Sequence, residues 1–417
     1  MYVSTDKKNM PVRILMIAPE PVLEPRGTPF SVYHRAKVLV TLGYEVDLVT
    51  YPIGKDVTLP GLRIIRAPAL PFIRKVKIGP SMAKLPLDLF LFITVVWRLC
   101  LRKYRYIHTH EEAGLMGVIL AALFGCKHLY DMHSDLSQQM SNFSFTKSKA
   151  LIYCVDAVQK LIVRKADAVI AICPDLEQTV KKIAPGKPVY MIENVAVDEA
   201  LPAPSESDVE RLRRQWKLEG KTVLLYTGTF EGYQGIDILL RSVALVRSDF
   251  PMARYVLVGG KPEQVEKQRQ LAQELGISDM VCFVGQRPLE EMPQYMALAD
   301  ILLSPRSEGT NTPLKLYTYL RSGKPILATD IFSHSQILTS RMAMLVPPTP
   351  EGLAQGALEL LKDQELAQRL GEYGQSIAEK NYSWPAFLEK NRKAYEDFTG
   401  QARDEVADVV QIGTGTY

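Results

Sequence analysis

KTVLLYTG, residues Lys221–Gly228, is an unbroken apolar run closed by a glycine near the middle of a 417-residue chain. A run of that length between turn residues reads as a strand buried on both faces. A helical pattern over Ile236–Val246 follows, then ARYVLVGG, a helix, MVCFVG, a helix, DILLSP, a helix and KPILATD. Strands alternating with helices define a doubly wound parallel sheet. The same alternation occupies the chain before Lys221. It starts with RILMIAP (Arg13–Pro19), a helical pattern over Val32–Leu42 ending at Gly43, and EVDLVTY (Glu45–Tyr51). Further strands are expected over Leu62–Ala67, Tyr104–His110, His128–His133 and Ala168–Cys173. The fold class is α/β, with two Rossmann-like domains that share an order of elements but no sequence repeat. PVYMIENVAVDEALPAPSES reads as the linker between them, and TGQARDEVADVVQIGTGTY after Phe398 as a frayed tail.

Composition agrees with two ordinary domains of about 100–200 residues each. Apolar residues are 47% and charged residues 23%, and 50 basic against 46 acidic side chains leave a net charge of +4. That balance argues against a nucleic-acid partner. Cys100, Cys126, Cys154, Cys173 and Cys282 stand far apart without a CxxC pair, which fits a reducing compartment rather than a disulfide framework or thiolate zinc site. The opening MYVSTDKKNMPVR lacks the apolar core of a signal peptide. The uncharged core Leu89–Trp97 of the most apolar stretch is shorter than the about 20 residues a membrane span needs. The expectation is a cytoplasmic protein.

Two such sheets are expected to face each other across a cleft, with ligands beyond the carboxyl ends of their strands. The loops of interest are Glu20–Ser31, His108–Ala113, His133–Leu136, Gly228–Gly235, Gly285–Pro288 and Ser304–Pro313. In EPRGTPF, Gly27 serves either a tight strand-to-helix turn or the close approach of an anion to a helix N-terminus. SPRSEGTNTPLKLYTYLRSGKP says more. Thr312 and Pro313 form an N-cap and first-turn pair for a helix that reaches Arg321 and stops at Gly323. Its start gathers Arg306, Glu308, Asn311, Thr312 and Lys315, so backbone donors and two cations converge on a spot suited to a diphosphate. His133, in YDMHSDL, is placed to bond a substrate hydroxyl or a backbone carbonyl. His108 and His110 share a strand face but lack a third ligand at a recognisable spacing, and no Asp-x-Asp pair is present, so no metal is expected. The chain has no GxGxxG, no GxxxxGK[ST] and no GxSxG, which leaves nicotinamide, P-loop and serine-hydrolase chemistry without support.

Between Arg63 and Arg105 lie ten basic residues, Arg63, Arg66, Arg74, Lys75, Lys77, Lys84, Arg98, Arg102, Lys103 and Arg105, against one acid, Asp88. Phe72, Ile73, Leu87, Phe90, Phe92 and Trp97 are interleaved with them, and a basic helix is expected over Lys147–Lys165. Cations beside large apolar side chains suit an anionic membrane surface. Leu87–Leu101 read as a buried crossover helix is the competing account, and a lipid-touching Arg74–Lys84 loop is compatible with both.

From about Arg13 to Phe398 the chain resembles the retaining, nucleotide-sugar-dependent glycosyltransferases of family four, which have the two-domain GT-B fold. The resemblance is carried by RILMIAPEP…PRGTPFSVYHRAKVLVTLGYEVDLVTY, YDMHSDL, MIENVAVD, YTGTFEGYQGIDILLRSV, ARYVLVGG, VCFVGQRPLEEMPQYMALADILLSP, EGTNTPLKLYTYLRSGKPILATD and LVPPTPEGLAQGALELL. It implies an N-terminal acceptor domain over 1–195, a donor domain over 196–384, a helix over 385–400 that returns to the first domain from Tyr382-Ser383-Trp384, and a tail over 401–417. It implies transfer of a sugar from a nucleoside diphosphate sugar, UDP- or GDP-linked, to an acceptor hydroxyl with retention, without metal or other cofactor. The acceptor would be a glycan or lipid-linked glycan in cell-envelope polysaccharide synthesis, met at the inner face of the membrane through Arg63–Arg105.

The resemblance also assigns roles. His133 and Glu308 would act on the donor sugar, and Gly27, Thr28, Arg306, Asn311, Thr312 and Lys315 on the diphosphate. Gly285, Gln286, Arg287 and Thr318 would lie by the nucleoside. The family's usual Arg and Lys after the first strand of the second half are Thr229 and Gln234 here, its second paired carboxylate is Thr318, and a later glutamate is Gln336. Arg306 and Lys315 then neutralise the diphosphate instead. The rivals are an epimerase of nucleotide sugars on the same scaffold, and a non-catalytic subunit that binds them.

Overall fold

A computed structural model describes residues 12–24, 27–71, 73, 76, 81–137, 148–195 and 203–401. The chain divides into two compact units, one running to Glu193 and resuming at Phe387, the other spanning Asn194–Ala386. Each is built on one parallel sheet, the α/β class with two Rossmann-like domains that the sequence implies.

The first unit runs β1 (Arg13–Ala18), α1 (Gly27–Thr41), β2 (Glu45–Thr50), β3 (Leu62–Arg66), α2 (Lys84–Leu101), β4 (Tyr106–His110), α3 (Gly114–Phe124), β5 (Lys127–Met132), α4 (Lys149–Lys165), β6 (Ala168–Ala171), α5 (Pro174–Ile183) and β7 (Val189–Met191). Its strand order is β3-β2-β1-β4-β5-β6-β7. The second unit runs α6 (Glu206–Gln215), β8 (Thr222–Thr227), α7 (Ile236–Val246), β9 (Ala253–Val258), α8 (Pro262–Glu274), β10 (Val281–Gly285), α9 (Met292–Leu298), β11 (Ile301–Ser304), α10 (Lys315–Arg321), β12 (Ile326–Thr329), α11 (Phe332–Ser335), β13 (Met344–Val346), α12 (Pro350–Lys362) and α13 (Gln364–Asn381), with order β10-β9-β8-β11-β12-β13. Strand order reverses beside β1/β4 in one sheet and β8/β11 in the other, and crevices at such reversals are where open α/β sheets hold ligands.

The last helix, α14 (Trp384–Thr399), packs on the sheet of the first unit. The Tyr106 hydroxyl donates to the Thr399 carbonyl at 2.9 Å, the Phe398 ring lies tilted against Tyr106 with ring centroids 5.4 Å apart, and Tyr395 pairs with His108. Its apolar face, Phe387, Leu388, Ala394, Tyr395 and Phe398, is buried there, which holds the returning chain in place.

Several expectations shift. Helix α1 begins at Gly27, not Val32, because Pro29, Phe30 and Ser31 are already buried and Ser31 bonds back to the Gly27 carbonyl at 3.2 Å. The segment read as a linker contains β7, which pairs with β6 through Tyr190 and Ile170. Helix α2 is neither wholly buried nor wholly exposed, since Leu87, Leu91, Val95 and Leu99 face the core while the opposite side stands open. Arg26, Phe72, Arg74, Lys75, Lys77, Lys147, the linker portion 196–202 and the tail 402–417 lie outside the described residues. Among the described residues no helix is long and apolar enough to cross a membrane.

Close backbone approach explains the glycines after β8 and β9. A Cβ on Gly259, at φ +124°, would lie 1.8 Å from the Gly228 carbonyl oxygen, and one on Gly235, at φ +70°, 1.9 Å from that of Pro305. Gly285, at φ +76°, has open space. Gly285→Ala should therefore cost about 1 kcal/mol, the left-handed backbone penalty alone. Gly259→Ala should cost roughly 3 kcal/mol, because strain and overlap add. Urea denaturation midpoints of the two variants beside the parent test that ordering.

Candidate functional site

In the second unit the β8/β11 crevice is tied together before any ligand arrives. The Ser307 N–H donates to the Tyr233 carbonyl at 2.9 Å, the Thr329 hydroxyl donates to the Arg306 carbonyl, and Gln336 donates to the Thr310 carbonyl. His334 accepts from Ser304 at 2.9 Å through Nε2 and donates from Nδ1 to the Thr329 carbonyl at 2.7 Å. Burial, and the positive charges of Lys315 and Arg306, bring its pKa down to about 4 despite that carbonyl. A neutral His334 can accept at one nitrogen and donate at the other, as the strap requires.

Two cations sit inside this frame. The Arg306 guanidinium donates to the Asn311 carbonyl at 2.8 Å and lies 5.0 Å from the centre of the Tyr233 ring, while its Nε has no partner. The Lys315 ammonium lies 3.9 Å from the centre of the Tyr226 ring and is enclosed without a hydrogen-bond partner. Burial, then the charge of Arg306, push it well below the ordinary lysine range. Burial likewise works against the charge on Arg306. Among the described residues neither cation has a carboxylate within ion-pair distance.

The departures at positions 229 and 234 acquire a geometry. The Tyr226 hydroxyl donates to the Thr229 carbonyl at 2.7 Å, and Gln234 Oε1 stands 3.3 Å away, so both flank the ring whose face carries Lys315. A cation from α10 thus stands beside the loop that lacks its own. Spacing could not reveal this, because residue 315 meets residue 226 only through the β8/β11 pairing.

The expected cap is absent. The residue preceding α10 is Leu314 in helical conformation, and the Thr312 hydroxyl is buried without a hydrogen bond, so Thr312 and Pro313 do not cap the helix. Glu308 is exposed. Gly285 ends β10, and with Gly260, Phe283 and Gln286 it lines a shallow hollow of about 330 Å³ at the carboxyl edge; Arg287 is exposed beside it. Thr318 lies on α10, half-buried.

The first unit holds a different centre. Strands β4 and β5 bring His108, His110, Asp131 and His133 together, all buried. Arg35 donates to Asp131 Oδ2 at 2.9 Å and also pairs with Asn391 of α14. His108 Nε2 is 3.4 Å and His133 Nε2 3.3 Å from the Asp131 carboxylate, and His110 Nδ1 is 3.0 Å from His133 Nε2. The third ligand-type group that sequence spacing did not offer to His108 and His110 is therefore Asp131, with ligand atoms within 4.8 Å of one another. Its carboxylate is already engaged by Arg35, so the set reads as a charge network, not a metal cage.

Burial alone would raise the pKa of Asp131, but Arg35 and His133 hold it well below the usual range. Burial also opposes a charge on His133, yet Asp131 and Glu111 win and raise its pKa. Glu111 is pushed up to about 7 by burial, against the pull of His133 and of the hydrogen bond that Ser134 donates to it at 2.7 Å. His133 is thus a buried imidazole at the carboxyl edge whose charged form is favoured by Asp131. Gly27 opens α1, and a Cβ there would meet nothing within 4 Å, so its space is open and no tight turn requires it; Thr28 follows it, half-buried.

Two family models match the chain, "Glycosyl transferase 4-like domain" over residues 26–193 and "Glycosyl transferases group 1" over 208–377. The chain belongs to the family-four, GT-B glycosyltransferases and is an enzyme of that class. It is 27% identical to the D-inositol 3-phosphate glycosyltransferase of Corynebacterium jeikeium, with 94% of this chain and 92% of that one covered. Its fold matches sucrose-phosphate synthase from Thermosynechococcus elongatus with a TM-score of 0.77 at 22% identity, covering 93% of this chain and 99% of that one. It also matches Anabaena HepE in complex with UDP-glucose, at a TM-score of 0.70 and 17% identity, with 93% and 100% covered. The family models describe transferases, so neither the epimerase nor the non-catalytic subunit is favoured.

The proton on His133 has a measurable signature. Its folded pKa lies above the unfolded value of about 6.5, so its contribution to stability is complete below that pH and is lost as pH rises through the folded value. The imidazole NMR titration of His133 should have a midpoint above 6.5, and Asp131→Asn should bring it below. An unshifted midpoint in the variant would show that the carboxylate does not hold the proton.

Proposed function

We propose that this glycosyltransferase moves a sugar from a nucleoside diphosphate sugar to an acceptor hydroxyl with retention at the anomeric carbon, and that the β8/β11 crevice holds the donor diphosphate. One observation carries the reading. Lys315 and Arg306 are enclosed beside one another without an anion, and a diphosphate supplies the charge that both lack. Electrostatic stabilisation of the leaving diphosphate is the main demand of this chemistry, and two cations meet it with no metal invoked. Backbone groups near Asn311 and Thr312 complete the phosphate site, and Glu308 binds sugar hydroxyls; Gly27 and Thr28, at the open start of α1, are kept as anion-binding candidates of the first unit. The hollow at Gly285, Gln286 and Arg287, with Thr318 nearby, takes the nucleoside. His133, protonated, donates to a sugar hydroxyl.

We favour UDP as the nucleotide, on the likeness to a UDP-glucose complex, with GDP as the competitor. The acceptor is a glycan or lipid-linked glycan presented at an anionic membrane on the cytoplasmic side. The basic Arg63–Arg105 segment supports that part less than the sequence implied. Lys84 is buried against Glu112 at 2.6 Å and Glu20 at 3.7 Å, Arg98 against Asp47 at 2.9 Å, and Arg66 pairs with Asp56 at 2.7 Å. The acids come from outside the segment. Arg102, Lys103 and Arg105 are the described cations of that segment without such a partner.

Lys315→Ala and Arg306→Ala should each weaken UDP-sugar binding by roughly tenfold to a hundredfold, the worth of one charge-assisted hydrogen bond. Thermal shift against UDP-, GDP- and ADP-sugars reads this, and unchanged binding in both variants rejects the site. Proton NMR of the product's anomeric signal tests retention. Calorimetry adds a sign. The pKa of Lys315 is depressed when the crevice is empty, and a bound anion raises it. In the pH range between the two values binding should take up a proton, and affinity should fall as pH rises through that range.

A further inference from the structure

We infer that the outer faces of α2, α3 and α4 form a membrane-docking surface that lies flat on an anionic lipid leaflet. Helix α2 exposes Leu85, Leu89, Ile93, Trp97 and Leu101, one large apolar side chain per turn over about 24 Å, with Trp97 57% exposed. Its outer face carries no charge: Asp88 is bonded by Tyr51, and Lys84 and Arg98 point inward to their carboxylates.

Helix α3 is apolar on both sides. A helix folded for water turns its large apolar residues inward. Here only Leu120 of the large ones is fully buried, beside Gly114, Gly117 and Ala121, and a Cβ on Gly117 would lie 2.3 Å from His128, while Leu123 is 71% exposed and Ile119 and Phe124 stand open beside it. Helix α4, packed against α3, adds Leu151, Leu161 and Tyr153, the last 72% exposed. These helices cover one side of the sheet, so their outer residues form one surface. Contiguous apolar area on this scale marks an interaction site.

Charge selects the occupant. Lys103 and Arg105 follow α2, and Arg164 and Lys165 end α4, all exposed where these helices turn back into the sheet. Asp156 on α4 is taken by Lys160 at 2.6 Å. An apolar face bordered by cations complements anionic headgroups above acyl chains. A second copy of the chain would set the same cations against each other. This surface shares Trp97 and the helix ending at Lys165 with the membrane contact expected from sequence, adds α3, and rests on helix faces and not on the Arg74–Lys84 loop.

The inference rests on the proposed membrane acceptor only for its purpose, because docking needs no substrate. The test is flotation of the full chain with phosphatidylcholine vesicles and with vesicles in which about a third of the lipid is phosphatidylglycerol. The parent should float with the anionic vesicles, and Trp97 fluorescence should shift to the blue there and not in a Trp97→Phe variant. Trp97→Gln with Leu123→Gln, at exposed positions that leave the melting temperature unchanged, should lower the bound fraction roughly tenfold. Lys103→Glu with Arg105→Glu should erase the preference for anionic vesicles. A parent that stays down with both vesicle types, an apolar double variant that floats like the parent, or a parent dimer that Trp97→Gln dissociates would overturn it. A chain that floats yet binds no nucleotide sugar would fault the donor reading and leave this one standing.

Discussion

An ammonium group enclosed by protein must find an anion, give up its proton, or cost several kcal/mol, and the second unit is arranged around that constraint at Lys315. The backbone around it is fixed beforehand: Gly235 against Pro305, Ser307 on Tyr233, Gln336 on Thr310. The crevice therefore cannot fold the lysine away or bring a carboxylate to it cheaply. Preorganised, uncompensated charge is what a site for a leaving diphosphate requires, because no reorganisation is then needed as charge develops.

The first unit resolves the same problem internally. Asp131 has Arg35, His108 and His133 around it, and Arg35 is shared with Asn391 of α14. Charge is paired within the unit, and the buried carboxylate of Asp131 raises the pKa of His133. The returning helix is thus part of the electrostatics as well as the packing, since Tyr395 on His108 and Asn391 on Arg35 orient two members of the network. The second unit encloses two cations without a carboxylate partner among the described residues, and the first pairs its buried charges with one another.

A third balance is struck at the surface. Water normally rewards helices that hide their large side chains, yet α3 hides one leucine, Leu120, beside two glycines and an alanine, and shows Leu123, Ile119 and Phe124. Close packing of the small residues on β4 and β5 is gained, and the exposed area is the cost. Such an arrangement persists where something other than water meets that face.

Much of this was legible in the chain. Unbroken apolar runs at Arg13–Pro19 and Lys221–Gly228, and their regular alternation with helical periods, specify parallel sheets because both faces of such strands must be buried. Positions 306 and 315 could be marked for an anion because they flank a strand-to-helix loop. The sequence could not show that Thr312 would leave its hydroxyl unbonded, that Asp131 would join His108 and His110, or that acids from positions 20, 47, 56 and 112 would consume the basic segment's charge. Periodicity and composition are properties of neighbours along the chain, and they settle which elements form. Which charges meet, and which side of a helix stays open, depends on contacts between residues far apart in sequence, and only the folded sheet order brings those together.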